Sequence, residues 1–184
     1  MEIFFVLGSP LAGGLLLALW GHRRFAAELN SLMSLATFVA AAVLTARIIS
    51  TGPLMTADEQ FFVDSLNVFL VALTAFVALT TSLFSRPYMR IEQAHGKLTD
   101  LRLRLYHSMF QLFVFTMLLV LLTNNMGILW VALEAATLTT VLLVSLYRTP
   151  ASLEAAWKYF ILCGSRRRDP RGRPAAPACS DGCR

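Results

Sequence analysis

Residues 126–147 read MGILWVALEAATLTTVLLVSLY. The run has about the length a helix needs to cross the roughly 30 Å hydrocarbon core of a bilayer. Its single acidic or basic residue is Glu134. At about 1.5 Å rise per residue, Glu134 lies roughly 12 Å below Met126, close to mid-membrane. A carboxylate at that depth must be protonated, paired or wetted, and by default it reads as part of an ion or proton path.

Outward from this run the chain keeps the same character. Of its 184 residues, 57% are hydrophobic, too many for an ordinary soluble domain. The apolar residues come in long blocks, at about 3–20, 30–49, 62–85, 108–123 and 126–147, and a sixth starts near 153 and stops at Gly164. Each full block suits a spanning helix, which satisfies its own backbone polar groups. The fourth block is short and needs help from its flanks. The expected fold is therefore all-α: a polytopic transmembrane helix bundle of five full spans and a truncated sixth over residues 1–164, then a disordered basic tail over 165–184.

The net charge of +5 invites a nucleic-acid reading, and its distribution rejects one. The cations sit between blocks and in the tail. Arg23 and Arg24 follow the first block; Arg86, Arg90, Lys97, Arg102 and Arg104 follow the third; Arg148 follows the fifth, with Lys158 one turn into the next helix. The alternate connections hold Arg47 beside Asp58 and Glu59, and the uncharged Asn124 and Asn125. The positive-inside rule then places connections 1–2, 3–4 and 5–6 in the cytoplasm and the N-terminus outside. The first block reads as a retained helix: its leading segment holds Glu2 and no cation, unlike a signal peptide.

Local signals set the expected boundaries. Gly52-Pro53 closes the second helix and opens an outside loop, and Arg86-Pro87 ends the third. Thr149 and Pro150 start the sixth as N-cap and first helical residue. Glu154 is then expected in the first turn, with Lys158 four residues on. That spacing explains both as a local pair; a role at the cytoplasmic mouth is the alternative. The stretch from Arg86 to His107 reads as the longest charged loop. Leu98, Leu101 and Leu105 either lie along the membrane surface or belong to a solvated or docking loop. His95 and His107 are expected in the loop and at the interface. Cys163 ends a helix, and Cys179 and Cys183 lie in the tail without a ligand histidine nearby, which makes incidental occurrence the simpler reading than metal binding.

The tail, SRRRDPRGRPAAPACSDGCR from Ser165, contains no Leu, Ile, Val or aromatic residue. Such a segment neither spans a membrane nor builds a core. It reads as a basic arm on anionic lipid, or as the product of a reading-frame shift after codon 164. The frame shift is the favoured reading, because the apolar pattern breaks inside a helix.

Two stretches carry a family resemblance: FFVDSLNVFLVALTAFVALTTSLFSRPYMRIEQAHGKLT, from Phe61, and FQLFVFTMLLVLLTNNMGILWVALEAATLTTVLLVSLYRTPASLEAAWKYFILC, ending at Cys163. They resemble hydrogenase-4 component F, a membrane protein family of the formate-hydrogenlyase type. That family is similar to the antiporter-like subunits of respiratory complex I and of Mrp cation antiporters. Residues 1–59 fit its hydropathy more than any motif. The resemblance implies an N-terminal fragment of a membrane component that couples redox chemistry to proton translocation. Its partners would be other membrane subunits, the lipid bilayer and soluble redox subunits on the cytoplasmic side. The family's fifth-helix glutamate maps onto Glu134, while its partner lysine belongs to a later helix; Lys158 is not that lysine.

The residues agree with this role without naming it. Thr137 lies one turn from Glu134 on the same helix face, within reach of the carboxyl, with Thr140 and Val141 beyond and Trp130 before. A desolvated carboxyl is neutral alone and ionises when a cation approaches, as a proton relay requires. The plainer alternative is a protonated Glu134 joining helices. The chain shows no iron–sulfur cysteine run, haem motif or nucleotide loop, so no cofactor is expected and any oxidoreductase activity would belong to the parent complex. Two other functions stay open: an Mrp-type cation/proton antiporter subunit, and a truncated, inactive membrane protein or small assembly factor.

Overall fold

The computed structural model describes residues 2–20, 26–52, 54–56, 60–94, 100–145 and 150–166. Among them run six helices: α1 (Glu2–Trp20), α2 (Ala26–Thr51), α3 (Ser65–Ala94), α4 (Asp100–Leu122), α5 (Met126–Val144) and α6 (Pro150–Arg166). A two-stranded antiparallel hairpin, β1 (Leu54–Thr56) and β2 (Phe61–Val63), joins α2 to α3, with Met55 opposite Phe62. Four helices, α2 to α5, are long and apolar enough to cross a membrane. The apolar stretch of α1, Ile3–Leu19, is shorter than these.

Helices α1 to α4 close into a bundle: α1 packs on α2 and α4, and α3 on the same two. Helix α5 lies outside this bundle against α4, and α6 lies against α5. The packing distributes residues in the manner of a membrane protein. Large apolar side chains such as Phe5, Leu19, Ile49, Phe69 and Phe84 point outward, while Asn30, Ser34, Ser82, His107 and Gln111 are buried. A soluble fold would reverse this, because water would reward burying the first set.

The interior has two halves. Toward the hairpin it is dry: Ile3 and Val6 of α1, Leu44 and Ile48 of α2, Val68 and Val71 of α3, and Leu118 and Leu122 of α4 pack with Val63. The hairpin closes this end. Asn124 donates its backbone N–H to Gln60 O at 2.7 Å, Phe61 bridges to Thr123, and the Phe61 ring meets Phe4 edge-on. The opposite half is polar.

Some expected boundaries hold. Helix α2 ends at Thr51, and Gly52 follows at φ 89°, its N–H bonded to Ile48 O at 2.9 Å. That left-handed geometry is one glycine adopts readily. Helix α6 begins at Pro150, where a missing N–H leaves no bond unmade.

Others need correction. Helix α3 does not end at Arg86-Pro87 but runs through Pro87 to Ala94. Proline removes the bond to the carbonyl four residues back, yet apolar helices tolerate it when neighbouring packing holds the axis. Met89, two residues on, is buried. Helix α4 starts at Asp100, eight residues before its apolar block, so residues 100–107 supply the length that block lacks. Residues 86–94 and 100–107 of the expected long loop are therefore helix extensions; Leu101 and Leu105 stand exposed on α4. His107, expected at the interface, is fully buried inside the bundle. Helix α6 continues past Gly164 to Arg166. The expectations for Arg23, Arg24, Pro53, Asp58, Glu59, His95, Lys97, Leu98, Arg148, Thr149, Cys179, Cys183 and tail residues 167–184 fall outside the described residues.

Candidate functional site

Helix α5 begins with a side-chain cap. Asn125 Oδ1 accepts from the Gly127 N–H at 2.9 Å, satisfying one of the free donors of the first turn. From there Ala132, Ala136 and Thr139 form its buried stripe, small residues that let α5 approach α4 closely. At about 100° per residue, Trp130, Glu134, Thr137 and Val141 fall on the opposite face. Trp130 is exposed, and the other three are half-buried. Along the lower part of this face runs α6. Leu138, Val141 and Leu142 of α5 and Leu153, Trp157 and Phe160 of α6 line a shared apolar groove. Glu134 stands one to two turns above that groove, at the middle of α5 and turned away from the closed bundle.

The structure brings Thr137 to Glu134 through the main chain. The Thr137 hydroxyl donates to the Glu134 backbone carbonyl at 2.7 Å. Its proton is thus committed to the helix, a common habit of threonine in apolar helices. Thr139 and Thr140 back-bond in the same way, to Ala135 and Ala136.

Glu154 and Lys158 meet as their spacing predicts, Oε1 to Nζ at 2.6 Å. Both are well exposed, and Glu154 is the fifth residue of α6, past the first turn in which it was expected. The Lys158 ammonium, by hydrogen bond and charge, holds its carboxyl below the usual range. Pair and relay candidate lie on adjacent helices.

A second polar constellation is not evident from the sequence. It fills the half of the α1–α4 bundle away from the hairpin. Gln111 Nε2 of α4 lies at 2.9 Å from Asn30 Oδ1, 3.0 Å from the Asn30 carbonyl and 3.1 Å from Ser34 Oγ on α2. Asn30 Nδ2 donates to Ser82 Oγ of α3 at 3.0 Å, and Ser82 Oγ donates to Ser31 Oγ at 3.2 Å. Ser108 donates to the Gly14 carbonyl of α1, and Ser85 to the Tyr106 hydroxyl. At the lip, Arg86 and Arg90 of α3 both engage the Glu28 carboxylate of α2. A signal does exist at the start of two apolar blocks. Asn30, Ser31 and Ser34 fall on one face of α2, and His107 and Gln111 are four apart on α4. A fourth block that starts at residue 108 leaves His107 outside it.

Comparison with known proteins fits this architecture. The chain is 44% identical over 159 residues to the hydrogenase-4 component F homolog of Methylacidiphilum infernorum (isolate V4), an alignment covering 86% of this chain. The resemblance to hydrogenase-4 component F read from the residues is thus shown. The chain spans about a third of that relative, 32% of its length. No model of a known protein family matches the chain.

Proposed function

We propose that this chain is part of the membrane arm of a complex I-like hydrogenase, with Glu134 as a proton-relay residue. The carrying observation is the position of one carboxyl group. Glu134 sits halfway along an apolar helix that is 19 residues long, on the face turned away from the closed bundle. Similarity to a hydrogenase-4 component F homolog supports the assignment to such a complex. A mid-membrane carboxyl is costly unless it serves an ion or proton path, is paired or is wetted.

In this reading α1 spans the bilayer along with α2 to α5, and α6 enters from the cytoplasmic side. The chain resides in a bacterial inner membrane. Glu154 and Lys158 mark the cytoplasmic mouth. Further helices or membrane subunits cover the Trp130–Glu134–Val141 face and supply the opposing cation, and soluble redox subunits dock on the cytoplasmic side. The chain alone then moves no protons, because a relay needs a second site to exchange with.

The test uses the full-length relative within its complex. The change matching Glu134→Gln should abolish proton translocation per turnover while the complex still assembles. Wild-type translocation in that variant would reduce Glu134 to a residue joining helices. Proton flux through liposomes holding this chain alone, lost on Glu134→Gln, would refute the need for a partner.

A further inference from the structure

The polar half of the α1–α4 bundle is only partly self-satisfied. Gln111 uses its amide N–H donors on Asn30 and Ser34, but its Oε1 has no hydrogen-bond partner among the described residues. Neither do Nδ1 and Nε2 of His107, one turn earlier on the same face of α4. His107 and Gln111 are both 0% exposed. The Nε of Arg86 is buried and also without a partner among the described residues. The hydrogen bond between Ser85 and Tyr106 sets α3 and α4 in register at this level, so Arg86 stands near the height of His107.

These orphaned groups are complementary in number and kind. Arg86 Nε–H is a donor, a neutral imidazole offers one donor and one acceptor, and Gln111 Oε1 is an acceptor. A buried polar group without a partner costs free energy comparable to a lost hydrogen bond. Several at neighbouring levels of one bundle are relieved by a ligand that both donates and accepts at short range, and water is the smallest such ligand. The cluster also has a way in. Glu28 and Arg90 at the lip are exposed to a large degree, and Arg86 is less so.

We propose that Arg86 Nε, His107 and Gln111 bind water inside the bundle, forming a wet pocket through which protons reach the His107 ring from the Glu28 end. A ring nitrogen accepts a proton from one water while the other nitrogen gives its own to a second; the ring keeps its charge, is left as the other tautomer, and a ring flip resets it for the next proton. This pocket is separate from Glu134, and the proposal does not depend on the relay role of that residue.

The experiment uses the full chain in lipid bilayers with labelled histidine, glutamine, leucine and backbone amides. His22→Gln and His95→Gln leave His107 as the sole histidine. Solid-state NMR reads magnetisation transfer from water, then the exchange of ring N–H for deuterium. Water signal should reach the His107 ring and the Gln111 side chain before the Leu118 methyls of the dry half. The ring proton should exchange before the backbone amides around Leu118. A His107 ring no wetter than Leu118, or a ring proton that outlasts those amides, overturns the proposal. Gln111→Leu should remove most of the transfer to His107, and unchanged transfer would overturn the water bridge. If that variant does not fold, the comparison of His107 with Leu118 decides alone.

Discussion

Gly13 fixes how closely α1 approaches α2. A Cβ built there would lie 3.0 Å from both Cβ and Cγ of Met33, a distance that forces the helices apart because Cβ cannot swing away. Gly8, on the same helix, meets nothing within 4 Å. Gly13→Val should therefore destabilise the chain in detergent by about 1–3 kcal/mol, the usual cost of overpacking, and more than Gly8→Val. Thermal unfolding of the two variants checks this, and equal losses would show that α1 and α2 are not in close contact. Gln111 makes a contrasting case. Gln111→Leu keeps volume but strips Asn30 and Ser34 of a partner, and should cost about 1–3 kcal/mol by the same measurement. Both residues are legible in the sequence as letters only. Glu134 can be singled out because a carboxylate inside an apolar run is anomalous anywhere, whereas Gln111 and Gly13 acquire meaning from what faces them.

The helices hold at their ends by different devices. Asn125 caps α5 through its side chain, so Asn125→Ala should lower stability by about 1 kcal/mol and speed amide hydrogen exchange at Gly127. Exchange at Gly127 that does not change would show that the cap is idle. Helix α3 carries Pro87 inside its last turns, where it removes one backbone bond. Pro87→Ala should raise the melting temperature, since the helix continues beyond it anyway; a lower one would mean that the proline sets a bend the bundle needs. The proline misleads a reading of the letters because its local cost, about 3 kcal/mol in a helix interior, is visible there and the packing of Met89 beyond it is not. The start of α4 is hidden for a related reason. Arg102 and Arg104 interrupt the apolar pattern, yet α4 runs through both, and long basic side chains can lie along a helix end near a membrane surface.

At the scale of the molecule the two ends of the bundle differ. One is apolar and closed by the hairpin; the other is polar, with Glu28 held between Arg86 and Arg90. The proposed orientation puts this second end in the cytoplasm. Single cysteines at Arg90 and at Ala57, in a chain free of other cysteines, should react with an impermeant thiol reagent on right-side-out vesicles at position 57 and not at 90. The reverse pattern would invert the molecule.

Several features follow from sequence alone, because they depend on one dimension. Block length announced helices able to cross a membrane, and the spacing of Glu154 and Lys158 predicted their ion pair. Glu134 stood out by its depth in an apolar run. What only the tertiary structure decided is which faces meet. It turned Glu134 away from the α1–α4 bundle, drew the Thr137 proton onto the backbone, and gathered Asn30, Ser34, Ser82 and Gln111 from three helices into one hydrogen-bonded network, with His107 buried in the same half of the bundle. In a membrane protein the lipid-facing and buried surfaces are both apolar, so helical periodicity carries almost no record of which side is inside. Only the packing of one helix against another supplies it.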